Sequence, residues 1–411
     1  MATYRFEIHN FKKLLMLPIW LIVLPISILI PRKRNSWVFG KKHQEMGDGP
    51  GDFMRYVSAH SSEIKCVWLS QDKQIVKKVR NDGFNAEYIF SLKGLITAFR
   101  AGTTVIATGI GDVNRPAAIG SRIVQLWHGS PLKKIHLDSP IHNKLPVPFC
   151  ALNAFLYFIS KWSYRQWHIA VTACERTALR YNTAFGLPMD RILPIGDPRC
   201  DRLIGESNSD IETKREKLYD YWRLSPALSK SEKLILYAPT WRDGKDWIPG
   251  PPPTLTVIMK KSLASMNARF IIRSHPLDGS LFYQGDNPSD RLSFLPPGNF
   301  PHINEWLSAF DVLITDYSSI AMDWALLRKP LILFPFDLEQ YRIDRGLYEP
   351  YDVFAGEKWC STWEEIIEYL NALLLRGETK AFRVSDHLLR RYHTFCDGKS
   401  CTRLLEALIQ N

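Results

Sequence analysis

Seven cysteines in 411 residues, odd in number and scattered from Cys66 to Cys401, include no Cys-x-x-Cys pair. That absence excludes a disulfide framework, offers no zinc spacing and fits a reducing compartment. No small-residue cleavage site follows the apolar N-terminal run, which excludes a secretory leader. No Asp-x-Asp-like cluster stands at the end of an expected strand, so a bound metal is not demanded, and no cofactor is expected. No internal repeat is evident. No stretch has a disordered composition, and 45% hydrophobic with 23% charged residues is the content of a folded chain. Aromatics sit inside apolar runs rather than among the Lys/Arg clusters, which argues against nucleic acid as partner.

What the chain does have is positive charge, +11 at pH 7, which asks for an anionic partner. Its length exceeds one ordinary core, so two domains are expected. Leu14–Ile30, "LLMLPIWLIVLPISILI", carries Ser27 as its one polar side chain and is flanked by Lys12, Lys13, Arg32, Lys33 and Arg34. Cations on both sides suit an anionic leaflet. Pro18 and Pro25 interrupt the run, and lying in the interface, spanning the bilayer and folding back as a buried hairpin all stay open.

From Ser36 the pattern becomes strand–helix–strand. Strand candidates are 36–40, 64–70, 103–109 and 122–129, with helical spacing at 52–60, 71–82 and 93–101 between them. A second series, 233–241, 268–276, 311–319 and 329–337, alternates with 253–267, 302–310 and 320–328, and 206–232 reads as a polar helix. This alternation predicts parallel sheets with helices on both faces. Turn residues in "LPIGDPRCDRL" (193–203) place the domain boundary there. The division is 1–35 (membrane-associating), 36–192, 193–380 and 381–411 (a terminal helical segment starting near Ser400).

Ligands of such sheets bind beyond the carboxyl ends of the strands, and polar residues gather there. "IVQLWHGSPLKKIH" stops an apolar run at His128, turns through Gly129 and continues to Lys133 and Lys134. "LITDYSS" ends with Asp316, Ser318 and Ser319 before an apolar helix, where a hydroxyl is either a cap or part of an anion site. "RSHP" places Arg273 and His275 on one face by alternation. In "YAPTWRD", Arg242 forks onto phosphate or pairs with Asp243. Arg199 and Asp201 in "GDPRCDR" read as a mutual pair or as contacts to ligand, and "DGKS" with Lys399 as a turn or a phosphate contact. Asp112, Asn114 and Arg115 are the other polar candidates in the first half.

These stretches, "WHGSPLKK", "GDPRCDRL", "YAPTWRD", "RSHP", "DVLITDYSSIAMDWALLRKPLILF" and "DGKS", resemble in order the motifs of the CDP-glycerol glycerophosphotransferase family of teichoic-acid and capsule enzymes. The resemblance runs from about Ser36 to the C-terminus. It implies a GT-B architecture, two Rossmann-like domains facing a cleft with the terminal helix returning to the first, and a peripheral enzyme at the cytoplasmic face of the membrane. It implies a CDP-activated polyol donor, a lipid-linked saccharide or growing polymer as acceptor, and CMP as product. His128 is then the base on the acceptor hydroxyl, His275 lies near the donor diphosphate, Ser318 and Ser319 hold phosphates, and Arg242 and Asp316 line the same site. The family's RGFYF reads "RGLYEP" here (345–350), which leaves that loop's role open. Ribitol phosphate in place of glycerol phosphate, or a sugar moved from a nucleotide-sugar on the same fold, are the alternative readings.

Overall fold

The protein is described from a computed structural model. It describes residues 29–41, 45–140, 160–225, 231–240, 251–273, 291–356, 358–378 and 380–410, with Val23, Pro25, Ser27, Tyr157 and Arg242 in addition. His275 and most of the apolar N-terminal run fall outside the described residues. Among the described residues, no helix is long and apolar enough to cross a membrane.

Contacts divide the chain into two compact units. The first holds 1–128, 135–201 and 399–411; the second holds 129–134 and 202–398. The division thus falls at Asp201 rather than 193, and the terminal segment joins the first unit only from Lys399 rather than from 381. A third difference is larger: Gly129–Lys134, read as part of the first domain, packs with the second.

The first unit is a parallel seven-stranded sheet of order β3-β2-β1-β4-β5-β6-β7. Its strands are β1 (Lys33–Gly40), β2 (Lys65–Ser70), β3 (Ala86–Tyr88), β4 (Ala101–Ile106), β5 (Arg122–Gln125), β6 (Ile169–Val171) and β7 (Ile192–Leu193). Side chains alternate across the sheet: Val38 joins the core with Ile106 and Ile123, whereas Trp37 and Phe39 join Val105 and Val124 in the opposite one. Burial on both faces is why these strands read as continuous apolar runs. Its main helices are α1 (Asp48–His60), α2 (Lys73–Asn81), α3 (Leu92–Arg100), α4 (Arg115–Ala118) and α5 (Glu175–Phe185); α6 (Asp201–Gly205) begins at its last residue before the second unit. The side chains of Asp72 and Ser91 cap α2 and α3.

In the second unit, α7 (Asn208–Tyr221) precedes β8 (Lys233–Tyr237), α8 (Pro253–Ser265), β9 (Ala268–Ile272), β10 (Leu292–Phe294), β11 (Val312–Thr315), α9 (Ile320–Ala325) and β12 (Leu331–Leu333). The parallel order is β10-β9-β8-β11-β12. Helices α10 (Leu338–Arg345), α11 (Tyr351–Ala355), α12 (Trp363–Leu374) and α13 (Lys380–Tyr392) follow. In both sheets the order reverses between two neighbouring strands, β1 and β4 in one and β8 and β11 in the other. Crevices for ligands open at such reversals.

The last helix, α14 (Ser400–Ile409), buries Cys401, Leu404, Leu405 and Leu408 in the core of the first unit, at helical spacing. Asp201 ties it down: the Ser400 and Cys401 amides donate to its two carboxylate oxygens at 3.0 and 2.7 Å. The Arg199–Asp201 pair suggested by the sequence is therefore not formed. Arg199 donates to Asp197 instead at 2.8 Å.

Ser27, the one polar residue of the apolar run, is fully buried. Arg32 holds the end of that run to the first unit, donating to the carbonyls of Ala98 and Ala117 at 2.9 Å and of Ile119 at 2.6 Å. It also donates to the Ser27 carbonyl and hydroxyl, both at 2.7 Å. Among the described residues this guanidinium faces carbonyls and no carboxylate, and burial lowers its pKa.

Candidate active site

At the sheet reversal of the second unit, β11 ends in Asp316 and the chain beyond β8 brings Thr240 beside it. Asp316 Oδ1 accepts from the Thr240 amide (2.8 Å), the Thr240 hydroxyl (2.6 Å) and the Tyr317 amide (2.6 Å). Arg242 Nη2 donates to Asp316 Oδ2 at 2.8 Å, and Arg242 Nε and Nη2 grip Asp337 at 2.8 Å each. Its Nη1 donates to the Thr240 carbonyl. Aromatic rings enclose the guanidinium, with Tyr317, Phe336 and Tyr341 centroids 5.1, 5.0 and 4.8 Å from its central carbon. Burial alone would lower the Arg242 pKa, but Asp337 and Asp316 outweigh it and raise the value.

The neighbouring Asp243 lies outside the described residues, and Arg242 pairs with Asp337, 95 positions away in sequence. Its guanidinium is taken up by protein acceptors, because a cation this buried needs counter-charge at hand. It holds Asp316 and the Thr240 carbonyl in place.

Among the described residues, a cation that lacks a partner here is Lys133. The backbone of Gly129–Lys134 docks against the loop after α10: Lys134 N–H donates to the Gly346 carbonyl at 3.0 Å and Tyr348 N–H to Leu132 at 2.9 Å. This pairing gives the "RGLYEP" loop a role, and its Glu349 accepts from Arg391 at 2.5 Å and from Tyr392. Gly346, at φ +68°, leaves room for Lys134, whose Cδ would lie 3.1 Å from an added Cβ. Among the described residues the Lys133 ammonium takes no hydrogen bond or ion pair. Burial first, then the charge of Arg345, hold its pKa down at about 8, against the opposing pull of Asp316. Lys134 is exposed.

Arg273 follows β9 and is 7% exposed. Its side chain meets the Leu295 carbonyl at a marginal 3.5 Å, and burial lowers its pKa to about 10. A buried guanidinium so poorly satisfied among the described residues is suited to an anion. Ser318 and Ser319 precede α9 and are only partly buried. Ser318 Oγ accepts from Ile320 N–H at a long 3.4 Å, and Ser319 makes no side-chain cap. The hydroxyls are thus barely used by the helix, which favours the anion reading over the cap. Sequence reasoning pointed to Thr240 and Tyr317 at strand ends but missed Asp337, Tyr341 and Arg345. Asp337 ended a strand-like run, and only its distance in sequence from Arg242 hid the pair.

In the first unit, β5 delivers the chain to Trp127, which has φ +57°. Left-handed backbone at a bulky residue costs about 1–2 kcal/mol. The ring is fixed in place, 5.0 Å from His136 and 5.1 Å from Phe185, and the Trp127 amide donates to Gln125 Oε1 at 2.8 Å. His128 stacks on this indole at 4.1 Å between centroids and is exposed. The next residue, Gly129, has φ +118°, which only glycine adopts readily.

Asp112 and Asn114 serve the fold of the loop after β4. Asp112 Oδ2 accepts from the amides of Ala107, Thr108 and Gly109, and Asn114 donates to the Ile89 carbonyl at 3.3 Å. Burial raises the Asp112 pKa despite those bonds. It lowers that of Arg115. Arg199 is 4% exposed and bound to Asp197, with Asp48 3.9 Å away, so it braces the first unit. Lys399 is exposed at the start of α14.

The sequence matches the family described as CDP-Glycerol:Poly(glycerophosphate) glycerophosphotransferase over residues 22–410. It is 27% identical, over 96% of this chain and 97% of the other, to a teichoic acid poly(glycerol phosphate) polymerase of Bacillus spizizenii. With a teichoic acid ribitol-phosphate polymerase of Staphylococcus aureus it shares 28% identity over 61% of the chain, which spans 43% of that longer protein. The fold is similar to that of the wall teichoic acid polymerase TagF, with TM-score 0.76 and 20% identity over 99% of this chain and 98% of that one. A UDP-GlcNAc 2-epimerase of Neisseria meningitidis aligns at TM-score 0.52 and 12% identity, over 91% of this chain and 99% of that one.

Proposed function

Because the chain belongs to the CDP-Glycerol:Poly(glycerophosphate) glycerophosphotransferase family and is an enzyme of that type, we propose that it transfers glycerol phosphate from CDP-glycerol to a hydroxyl of a wall-polymer acceptor. The acceptor oxygen attacks the β-phosphorus, the bond from that phosphorus to the bridging oxygen breaks, and CMP leaves. His128 takes the hydroxyl proton. An imidazole has an ordinary pKa near neutrality, and a positioned base contributes about 10²–10⁴-fold. The remaining work is charge stabilisation. Lys133, Arg273, Ser318 and Ser319 meet the donor phosphates together with His275, while Arg242 holds Asp316 in place. Supporting this most strongly is Lys133: an ammonium without a hydrogen-bond or ion-pair partner among the described residues, beside Asp316 at the sheet reversal.

The test is His128→Ala. CMP release from CDP-glycerol should fall at least about a hundredfold with an unchanged melting temperature, since the ring is exposed. Near-full activity would remove His128 as base. The ribitol-phosphate polymerases among the similar proteins favour CDP-ribitol as a second donor. A panel of CDP-glycerol, CDP-ribitol and UDP-sugars decides between them, and turnover of UDP-sugars alone would overturn the reading.

The same reading places the enzyme at the cytoplasmic face of the membrane, with an anionic leaflet as partner. Support comes from the basic residues around Leu14–Ile30 and from the outer face of α3, where Leu92 and Ile96 are 75% and 46% exposed beside Lys93 and Arg100. Flotation with anionic vesicles tests this: a chain that stays with the protein fraction refutes it.

A further inference from the structure

The first unit holds a basic pocket to which no role has been given. It measures about 540 Å³ and is lined by Lys161, Arg165, Asn182, Gly186 and Arg191, with Leu187 and Pro188. Among the described residues no carboxylate lines it. Lys161 and Arg165 stand one helical turn apart in the helical residues 160–165, so both cations lie on the same face. Among the described residues, neither side chain makes a hydrogen bond or ion pair. Arg191 Nη1 is pinned by the carbonyls of Arg165 and Trp167 at 3.2 and 3.4 Å. Its Nη2 and Nε take no protein acceptor among the described residues.

The walls are firm. Asn182 Nδ2 donates to the Leu187 carbonyl at 2.6 Å. Gly186 ends α5 at φ +60°, and a Cβ there would meet Lys161 Cε at 3.4 Å. Two exposed aromatics, Tyr157 at 45% and Trp162 at 42%, belong to the same stretch as Lys161. Three cations converging on a concave surface repel one another unless an anion joins them. Their separate heads suit successive phosphates of a chain better than a single ion.

We propose that this pocket binds the polyanionic part of the acceptor, a chain of polyol phosphates, away from the reacting end. The proposal rests on the phosphotransferase reading above. A bilayer contact fits less well, because lipid favours protruding apolar side chains rather than a cationic hollow. In this arrangement the pocket retains the growing chain between additions. Longer acceptors therefore bind more tightly than short ones, and salt weakens that advantage.

The experiment uses the full chain and two variants, Lys161→Ala/Arg165→Ala and Arg165→Glu. Binding of a long glycerol phosphate oligomer and of a glycerol phosphate dimer is measured at two salt concentrations, with CMP release on the dimer and flotation with phosphatidylglycerol vesicles. The wild type should bind the long oligomer at least about tenfold more tightly than the dimer at low salt. The variants should lose that difference while their CMP release on the dimer stays within about twofold of wild type. Equal affinity of wild type and variants for the long oligomer overturns the proposal. So does loss of vesicle binding alone, which assigns the pocket to lipid. If the wild type releases no CMP from either donor, the reaction assigned above fails, and oligomer affinity still decides the pocket.

Discussion

Replacing Lys133 by methionine should move stability and donor affinity in opposite directions. Methionine keeps the length of the side chain and the backbone pairing with residues 346–348, and removes only the charge. The lowering of the Lys133 pKa from 10.5 to about 8 corresponds to about 3 kcal/mol against the charged form. Partial exposure screens that to about 1–2 kcal/mol. At pH 7 the ammonium therefore destabilises the second unit, and Lys133→Met should raise its melting temperature by about 3 °C. The sign with pH follows: between about pH 8 and 10.5 the unfolded chain holds a proton that the folded one has released, so wild-type stability rises across that window. The variant should lose this rise. Donor binding goes the other way. A charged contact to phosphate contributes about 1.5–3 kcal/mol, so KM for CDP-glycerol should increase about ten- to a hundredfold. Calorimetry from pH 7 to 10.5 and steady-state CMP release read both effects. A variant that melts lower and keeps its KM within about twofold would refute the role of Lys133.

Two further substitutions address the frame around the site. Asp316→Asn removes one of two carboxylates from the buried Arg242 and should cost about 3 kcal/mol, read as a lower urea midpoint; an unchanged midpoint would mean that Asp337 alone satisfies the guanidinium. Asp201→Ala removes the cap on Ser400 and Cys401 and should cost about 1–2 kcal/mol. Hydrogen exchange should quicken in Ser400–Ile409 first, and uniform protection would refute the cap.

Much of the fold was legible because parallel strands buried on both faces leave apolar runs that end in turn residues. Ile235, Phe270 and Ile314 are wholly buried, and each lies in a run visible in the sequence. The short strands β3, β6, β7 and β10 were not found, since two or three residues cannot display a period of two. The polar helix read over 206–232 stops at Tyr221, where Arg223 takes φ +56°. The site was legible as a set of strand ends but not as a set of pairs. Arg242 packs against Asp337 from another strand end, and such a pairing is made only in the folded crevice. The docking of Leu132–Lys134 onto Gly346–Tyr348 is likewise tertiary, and it transfers Lys133 from a first-domain loop to the second unit.

Trp127 shows what the sequence could not disclose about the histidine beside it. A residue that sits at φ +57° would ordinarily be glycine or asparagine, and a tryptophan persists there only if its surroundings over-determine the backbone. The indole does this by wedging among His136, Tyr181 and Phe185 while carrying His128 on its outer face. Trp127→Gly separates the two effects. Glycine relieves about 1 kcal/mol of strain but gives up a buried aromatic, a loss of about 3–5 kcal/mol, so the first unit should weaken by about 2–4 kcal/mol. If the wedge serves to aim His128, kcat for CMP release should fall about tenfold or more even well below the new melting temperature, since a small misplacement of a catalytic group is costly. Donor binding by the second unit should be unaffected. Retention of kcat under those conditions would leave the strain at Trp127 as a packing consequence and remove its link to the base.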